Sequence, residues 1–220
     1  MSRVLAFDFG ASTGRAIVAE YTDGKINYSE VHRFDNELVQ KNGHLCWNFE
    51  YLLGEVKKAI ELAGKVDSLA FDTWGVDYGL INADGSIADL PVCYRDDRTK
   101  DAPQKVFESI GPKELYSLTG NQIMPINTLF QLVAEENNDA DMLLFMPDLF
   151  AYALCGAKSA EQTIASTSQM LDLNNVKWQS KVFDVTGKDA KILPPIVESA
   201  TVAGEYNGIK VIKVAGHDTQ

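Results

Sequence analysis

The chain opens on an apolar run, residues 4–9, that ends abruptly at a turn. A second run covers residues 15–21 and a third 25–34, with Asp23-Gly24 between them as a two-residue hairpin signal. The pattern predicts three strands in a meander. Leu52, Leu53, Val56, Ala59, Ile60 and Ala63 then recur at helical spacing, which predicts a helix over 51–63 stopped by Gly64. Residues 66–72 read as a strand buried on both faces. Residues 76–82 read as another, before the Ala83-Asp84-Gly85 turn.

From residue 99 the texture changes. Helices are predicted to open at Thr99 and Pro112 and to cover 127–136, followed by a short strand over 143–146. Pro147 starts a helix running to Leu154, at a position where its missing N–H costs nothing, and Gly156 stops it. A short helix over 179–185 and a closing strand over 210–215 complete the pattern. Internal repeats, low-complexity stretches and flexible linkers are absent. Three strands followed by alternating helices and strands predict an α/β fold.

Composition narrows the function classes. The chain has 220 residues, enough to bury a sizeable core, and its 45% hydrophobic and 23% charged content is that of a globular protein. Its 20 Lys and Arg against 31 Asp and Glu give a net charge of −11, which disfavours nucleic acid or an anionic membrane as partner. A phosphorylated small molecule is compatible with that charge, because a few local backbone N–H groups suffice to hold it. Cys46, Cys93 and Cys155 are odd in number and widely spaced, which predicts buried reduced thiols. The apolar stretch 142–155 is broken by Pro147 and Asp148, so it does not read as a membrane span. No signal peptide is visible, and a cytoplasmic protein is expected.

Four segments carry candidate chemistry. In the first, Asp8 ends the opening strand and the turn Gly10-Ala11-Ser12-Thr13-Gly14-Arg15 follows. Glycines admit a phosphate to the backbone, hydroxyls and an arginine add donors, and the acid can hold water on magnesium. A plain glycine hairpin explains the same residues. There is no G-x-x-x-x-G-K-[ST], and Asp8-Phe9-Gly10 lacks the other signatures of a protein kinase.

In the second, Asp72-Thr73-Trp74-Gly75-Val76-Asp77 puts two acids and an indole around a glycine, as a sugar site requires; a hairpin with Trp74 in the core is the competing reading. The third, 94–99, is a charged cluster in which Asp97 or Thr99 would cap a helix. In the last, Gly216-His217-Asp218-Thr219, a carboxylate is placed to take a proton from an attacking alcohol, or simply to form an Asx turn.

Taken together and in this order, these segments resemble the FGGY family of sugar kinases, a branch of the actin/hexokinase/Hsp70 superfamily, over nearly the whole chain. Asp72 to Asp77, Tyr94-Arg95-Asp96, Gln122-Ile123-Met124, Asn127-Thr128, Gln131-Leu132, Met146-Pro147-Asp148 and Thr167-Ser168-Gln169-Met170-Leu171-Asp172 all resemble the members acting on 6-deoxy-ketohexoses. The resemblance implies a ribonuclease-H-like domain with a central mixed sheet and helices on both faces. It also implies phosphoryl transfer from ATP with Mg²⁺ to the 1-hydroxyl of L-rhamnulose, or alternatively of L-fuculose or another ketose.

Residue by residue, it implies that Ala11, Ser12, Thr13, Gly14 and Arg15 hold the ATP phosphates and that Asp8 organises Mg²⁺ through water. Asp72, Gly75, His217 and Thr219 would meet the sugar, and Asp218 would be the catalytic base. A second domain of similar size, outside this chain, would supply the adenosine pocket. A non-catalytic sugar-binding or sensor module on the same fold is the alternative of a different class.

Overall fold

The structure, a computed structural model, describes residues 2–137, 139–172 and 174–218. Strands β1 (Ser2–Phe9), β2 (Thr13–Thr22) and β3 (Lys25–Asp35) form the expected antiparallel meander, with Phe9 opposite Gly14 and Thr22 opposite Lys25. A hairpin of β4 (Leu38–Lys41) and β5 (His44–Trp47) leads into helix α1 (Phe49–Ala63). The Asn48 side chain caps α1 by accepting the Tyr51 N–H. Strand β6 (Ser68–Asp72) then returns parallel to β1.

The chain next leaves the sheet. Strand β7 (Tyr78–Ile81) pairs with β8 (Met142–Phe145), and between them lie α2 (Ala102–Ser109), α3 (Pro112–Thr119) and α4 (Thr128–Val133). After α5 (Met146–Cys155) come the two-residue strand β9 (Ala160–Glu161), α6 (Gln162–Ser166), β10 (Leu171–Asp172), β11 (Lys177–Trp178), α7 (Ser180–Phe183) and β12 (Ile196–Val197). Strands β13 (Thr201–Tyr206) and β14 (Ile209–Lys213) close the main sheet, whose order is β13-β14-β6-β1-β2-β3. Strands β14, β6 and β1 are mutually parallel and the flanking pairs antiparallel, so the sheet is mixed, in the expected ribonuclease-H-like arrangement.

The differences from the sequence pattern are local. The helix expected to open at Thr99 opens at Ala102 instead, as α2, and is preceded by a 3₁₀ turn, Asp97–Thr99, whose cap is Asp96, which accepts the Arg98 N–H; neither Asp97 nor Thr99 has that role. Helix α4 stops at Val133, short of the expected 136. Strand β6 is buried on one face only: Leu69 and Phe71 are buried while Ser68, Ala70 and Asp72 are half-exposed.

Alternation along the strands explains the layering. Leu5, Phe7 and Phe9 of β1 and Leu69 and Phe71 of β6 share one face, where α1 and α5 both pack. Phe150 of α5 sits at the centre, 4.7 Å from the Phe9 ring, 5.3 Å from Phe71 and 5.0 Å from Phe49 of α1. The opposite face carries Ala6, Ile17, Ala70 and Ile212, with Tyr21, Ile26 and Tyr28 toward the hairpin end. Ala6 is exposed there, and Tyr28 is 78% exposed. Helices were expected on both faces; among the described residues α1 and α5 occupy one, and this apolar side is open to solvent. A second core, built on Val106, Leu115, Phe130, Ile164 and Phe183, fills the helical half.

Candidate functional site

The turn after β1 is held from behind. The Gly10 N–H donates to the Thr13 carbonyl (3.0 Å), and Asn36 secures the loop by donating its side-chain N–H to the Gly10 carbonyl (2.5 Å) and its backbone N–H to the Ser12 carbonyl (2.8 Å). The side chains of Ser12 and Thr13 are left exposed. Gly14 has a different reason to be glycine: a Cβ there would stand 2.4 Å from the Phe34 ring. Arg15 folds back so that Nε and Nη2 each lie 2.6 Å from Oδ2 of Asp8, its partner across the strands.

Three acids converge where the parallel strands end. The register places Asp8 directly beside Asp72. The ladder then continues past β14: the Thr73 N–H donates to the Gly216 carbonyl (3.1 Å) and the Asp218 N–H to the Thr73 carbonyl (3.0 Å). This brings Asp218 to the same edge, the usual place for a ligand on an open α/β sheet. Burial, reinforced by the charges of Asp8 and Asp218, pushes the Asp72 carboxyl up to about 6. Asp218 is raised by burial as well, against the opposing pull of His217. Burial lowers His217, whose Nε2 lies 3.7 Å from the Asp218 carboxylate. Oδ1 of Asp72 is buried without a hydrogen-bond partner.

Beside these acids is a cavity of about 560 Å³. Ala11 of the turn, Gly75, His217 and Asp218 line it from the sheet side, and Asn121, Gln122, Met124, Ile126 and Thr167 from the helical half. Gly75 is required by contact: a Cβ there would meet Thr167 Cγ2 at 3.0 Å and His217 Nε2 at 3.1 Å. The structure thus brings Ala11, Gly75, His217 and Asp218 to one cavity, while Asp8, Ser12, Thr13, Gly14, Arg15 and Asp72 do not line it, Asp8 and Asp72 lying side by side on the adjoining strands. Thr219 lies outside the described residues. The pocket roles of Asn121, Ile126 and Thr167 were not assigned from sequence, although Thr167 and neighbouring Gln122 and Met124 lie in segments that carried the resemblance.

Asp77, the second acid of that motif, does not line the cavity. It is buried and fully engaged, its Oδ2 accepting from Trp47 Nε1 (2.7 Å), Trp74 Nε1 (3.0 Å) and the Tyr94 N–H (3.1 Å) and its Oδ1 from Gln131 Nε2 (2.8 Å). Burial still pushes its carboxyl up to about 6 against all four donors. Asp77 therefore joins the sheet half to the helical half and fixes the Trp74 indole. Asp148, at the start of α5, makes a second buried link by accepting from Lys213 Nζ of β14 (2.5 Å).

A mixed sheet of this order, with acids gathered where its parallel strands end, sets the fold class, and sequence comparison names the family. The description "FGGY family of carbohydrate kinases, N-terminal domain" matches residues 3–219, and the chain belongs to that family. Its curated relatives include the rhamnulokinase of Enterococcus faecalis, 36% identical over 233 residues, and that of Klebsiella pneumoniae strain 342, 34% identical over 232. Each alignment covers 98% of this chain and 47% or 48% of the relative, so the chain spans about half the length of the curated relatives it matches.

Among solved structures, a ligand-bound xylulose kinase from Lactobacillus acidophilus superimposes with a TM-score of 0.84 at 16% identity, over 97% of this chain and 48% of that one. Plasmodium falciparum glycerol kinase with ADP gives 0.75 at 13% identity over the same shares. These likenesses confirm the fold.

Proposed function

We propose that this chain is the sugar-binding half of an ATP-dependent kinase that phosphorylates the 1-hydroxyl of a 6-deoxy-ketohexose, L-rhamnulose before L-fuculose. One observation carries the reading: the cavity bounded by His217 and Asp218 is also bounded by Ala11 of the turn, so a sugar and a phosphate chain can meet there. The rhamnulokinase relatives supply the choice of sugar.

Asp218 is the base. Its raised carboxyl takes the proton as the hydroxyl attacks the γ-phosphorus and the bond to ADP breaks. His217, Gly75 and Asp72 position the ketose, with Thr219 next in sequence. Residues 11–13, with the exposed side chains of Ser12 and Thr13, and Arg15 hold the phosphates, and Gly14 keeps the turn against the core. A plain sugar binder has no use for three mutually repelling acids beside its pocket, which favours the kinase over the sensor module.

The site suits Mg²⁺ held through water. Its donors are hard carboxylate oxygens, one buried Asp72 oxygen has no partner, and the described residues contain no group of three ligands close enough to chelate an ion directly. Asp8 and Asp72 would hold that hydration shell, and the ion would neutralise phosphate charge. Adenosine is assigned to a second domain, for which the greater length of the relatives leaves room. The setting we propose is cytoplasmic; among the described residues no helix is long and apolar enough to cross a membrane.

The test is a panel of ketoses and polyols assayed with the full-length protein by coupled detection of ADP. L-rhamnulose should be best and L-fuculose next. If L-ribulose, L-xylulose or glycerol is clearly best, the 6-deoxy reading is wrong.

A further inference from the structure

We propose that Val76 selects a ketose ending in a methyl group over one ending in a hydroxymethyl, and that the fold holds it in a strained conformation to do so. The proposal rests on the ketose-kinase reading above. Val76 has φ +66°, in the left-handed region. A β-branched residue is a true outlier there, and glycine would adopt the same angle freely. Such strain persists only where the surroundings over-determine it, and it gathers at ligand clamps.

The surroundings here are explicit. The Val76 N–H donates to Thr167 Oγ1 (3.0 Å), and its carbonyl accepts from Thr128 Oγ1 (2.7 Å) and Gln131 Nε2 (3.3 Å). Gln131 is itself fixed by Asp77. Both polar backbone groups of Val76 are therefore turned into the helical half. The residue is half-buried and lines the cavity, so the group it presents is its isopropyl side chain.

The other apolar groups of the wall are less suited to discrimination. Met124 is exposed and unbranched, with three rotatable side-chain bonds, Ile126 lies in a loop, and the Trp74 indole is tied into the core by Asp77. With the reacting hydroxyl at Asp218, the far end of the ketose must find its contact elsewhere on this wall. A methyl group gains by meeting the isopropyl. A hydroxyl set against the isopropyl gives up water and gains no hydrogen bond from it. Apolar pockets reject an added hydroxyl only modestly, so the expected preference is on the order of 10- to 100-fold.

The experiment compares kcat/KM of the full-length enzyme for L-rhamnulose and for L-fructose, the same ketose with a hydroxyl on its last carbon. Val76→Asn and Val76→Gly both accept the left-handed angle, so each should fold, as a melting curve checks. The wild type should favour L-rhamnulose. Each substitution should reduce that ratio by roughly tenfold, with the loss for L-rhamnulose mainly in KM. An enzyme active on L-rhamnulose whose ratio neither substitution moves overturns the assignment to Val76 alone, as does a wild type with no preference. An enzyme that phosphorylates neither sugar overturns the choice of L-rhamnulose and this proposal with it, and activity on another ketose in the same assay separates that outcome from failure of the ketose-kinase reading.

Discussion

Gly75 and His217 are in contact: an added Cβ on the glycine would lie 3.1 Å from Nε2 and 3.2 Å from Cδ2 of the imidazole. Both residues line the cavity, and Thr167 closes the third side of the contact. Gly75→Ala should therefore push His217 or Thr167 into the cavity to which the proposed function assigns the ketose. The expected result is a KM for sugar raised roughly tenfold or more, since an approximately 1 Å misplacement can cost 10²-fold, with the melting temperature little changed. Steady-state kinetics at saturating ATP measures it, and an unaltered KM would show that the ketose binds elsewhere.

Asp218→Asn keeps the size of the side chain and loses the proton acceptor. Turnover of the full-length enzyme should fall by roughly 10²–10⁴-fold, the usual worth of a general base, while sugar affinity changes far less. A stably folded variant that retains most of its turnover would remove Asp218 from the mechanism.

Asp72→Asn should stabilise the fold, and only above a certain pH. The wild-type carboxyl is pushed up to about 6 by burial and by Asp8 and Asp218. A raised carboxyl favours folding below its unfolded value of 3.8 and loses that advantage as pH rises through 6. Asparagine has no charge to suppress. Urea unfolding should show a gain on the order of 1 kcal/mol near pH 8, discounted for the half-exposed site, and coincident curves near pH 4. A gain that persists at pH 4 would point to another cause.

Asp77→Ala removes the acceptor shared by Trp47, Trp74, Gln131 and the Tyr94 N–H. Leaving these buried donors unpaired should cost roughly 3–5 kcal/mol in urea unfolding. The emission of Trp74 and Trp47, whose rings lie 4.0 Å apart, should change with it. A loss under 1 kcal/mol would mean that the network carries little of the junction between the two halves.

The open sheet face gives a prediction for the 220-residue chain expressed alone. Tyr21, Ile26, Tyr28 and Val202 are exposed on strands of this sheet, and Ala6 is exposed at its centre. Contiguous apolar surface of this kind binds hydrophobic dyes or other protein. Enhanced dye fluorescence from the native chain is expected. Replacing Ile26 and Tyr28 by Ser and Thr should reduce it without loss of fold.

Much of this was legible in the sequence because it is local. The meander follows from alternation and Asp23-Gly24, and the acids at strand ends from where the apolar runs stop. What escaped depends on distant partners. Asp77 reads as a sugar ligand until Trp47 and Gln131, 30 and 54 residues away, are seen to donate to it. Gly14 reads as a phosphate glycine until Phe34 is seen against it. Strand β13 has its alternation broken by an irregularity between Val202 and Gly204, and the two-residue strands β9 and β12 carry too few positions to show a period. Alternation also cannot say whether a helix covers the second face of the sheet, because Val4, Ala6 and Ala70 would read the same under a helix or in water.

Asp8 and Asp72 end neighbouring strands, and Asp218 extends the ladder of a third, so their separations are set by backbone hydrogen bonds. Strands about 4.8 Å apart cannot slide without breaking that ladder. This edge is thus an anvil of fixed shape, and under the proposed function any opening and closing has to come from what is brought down onto it. The amide hydrogens of Phe7, Ala70 and Phe71 should accordingly be among the slowest in the chain to exchange with deuterium, with the sugar present or absent.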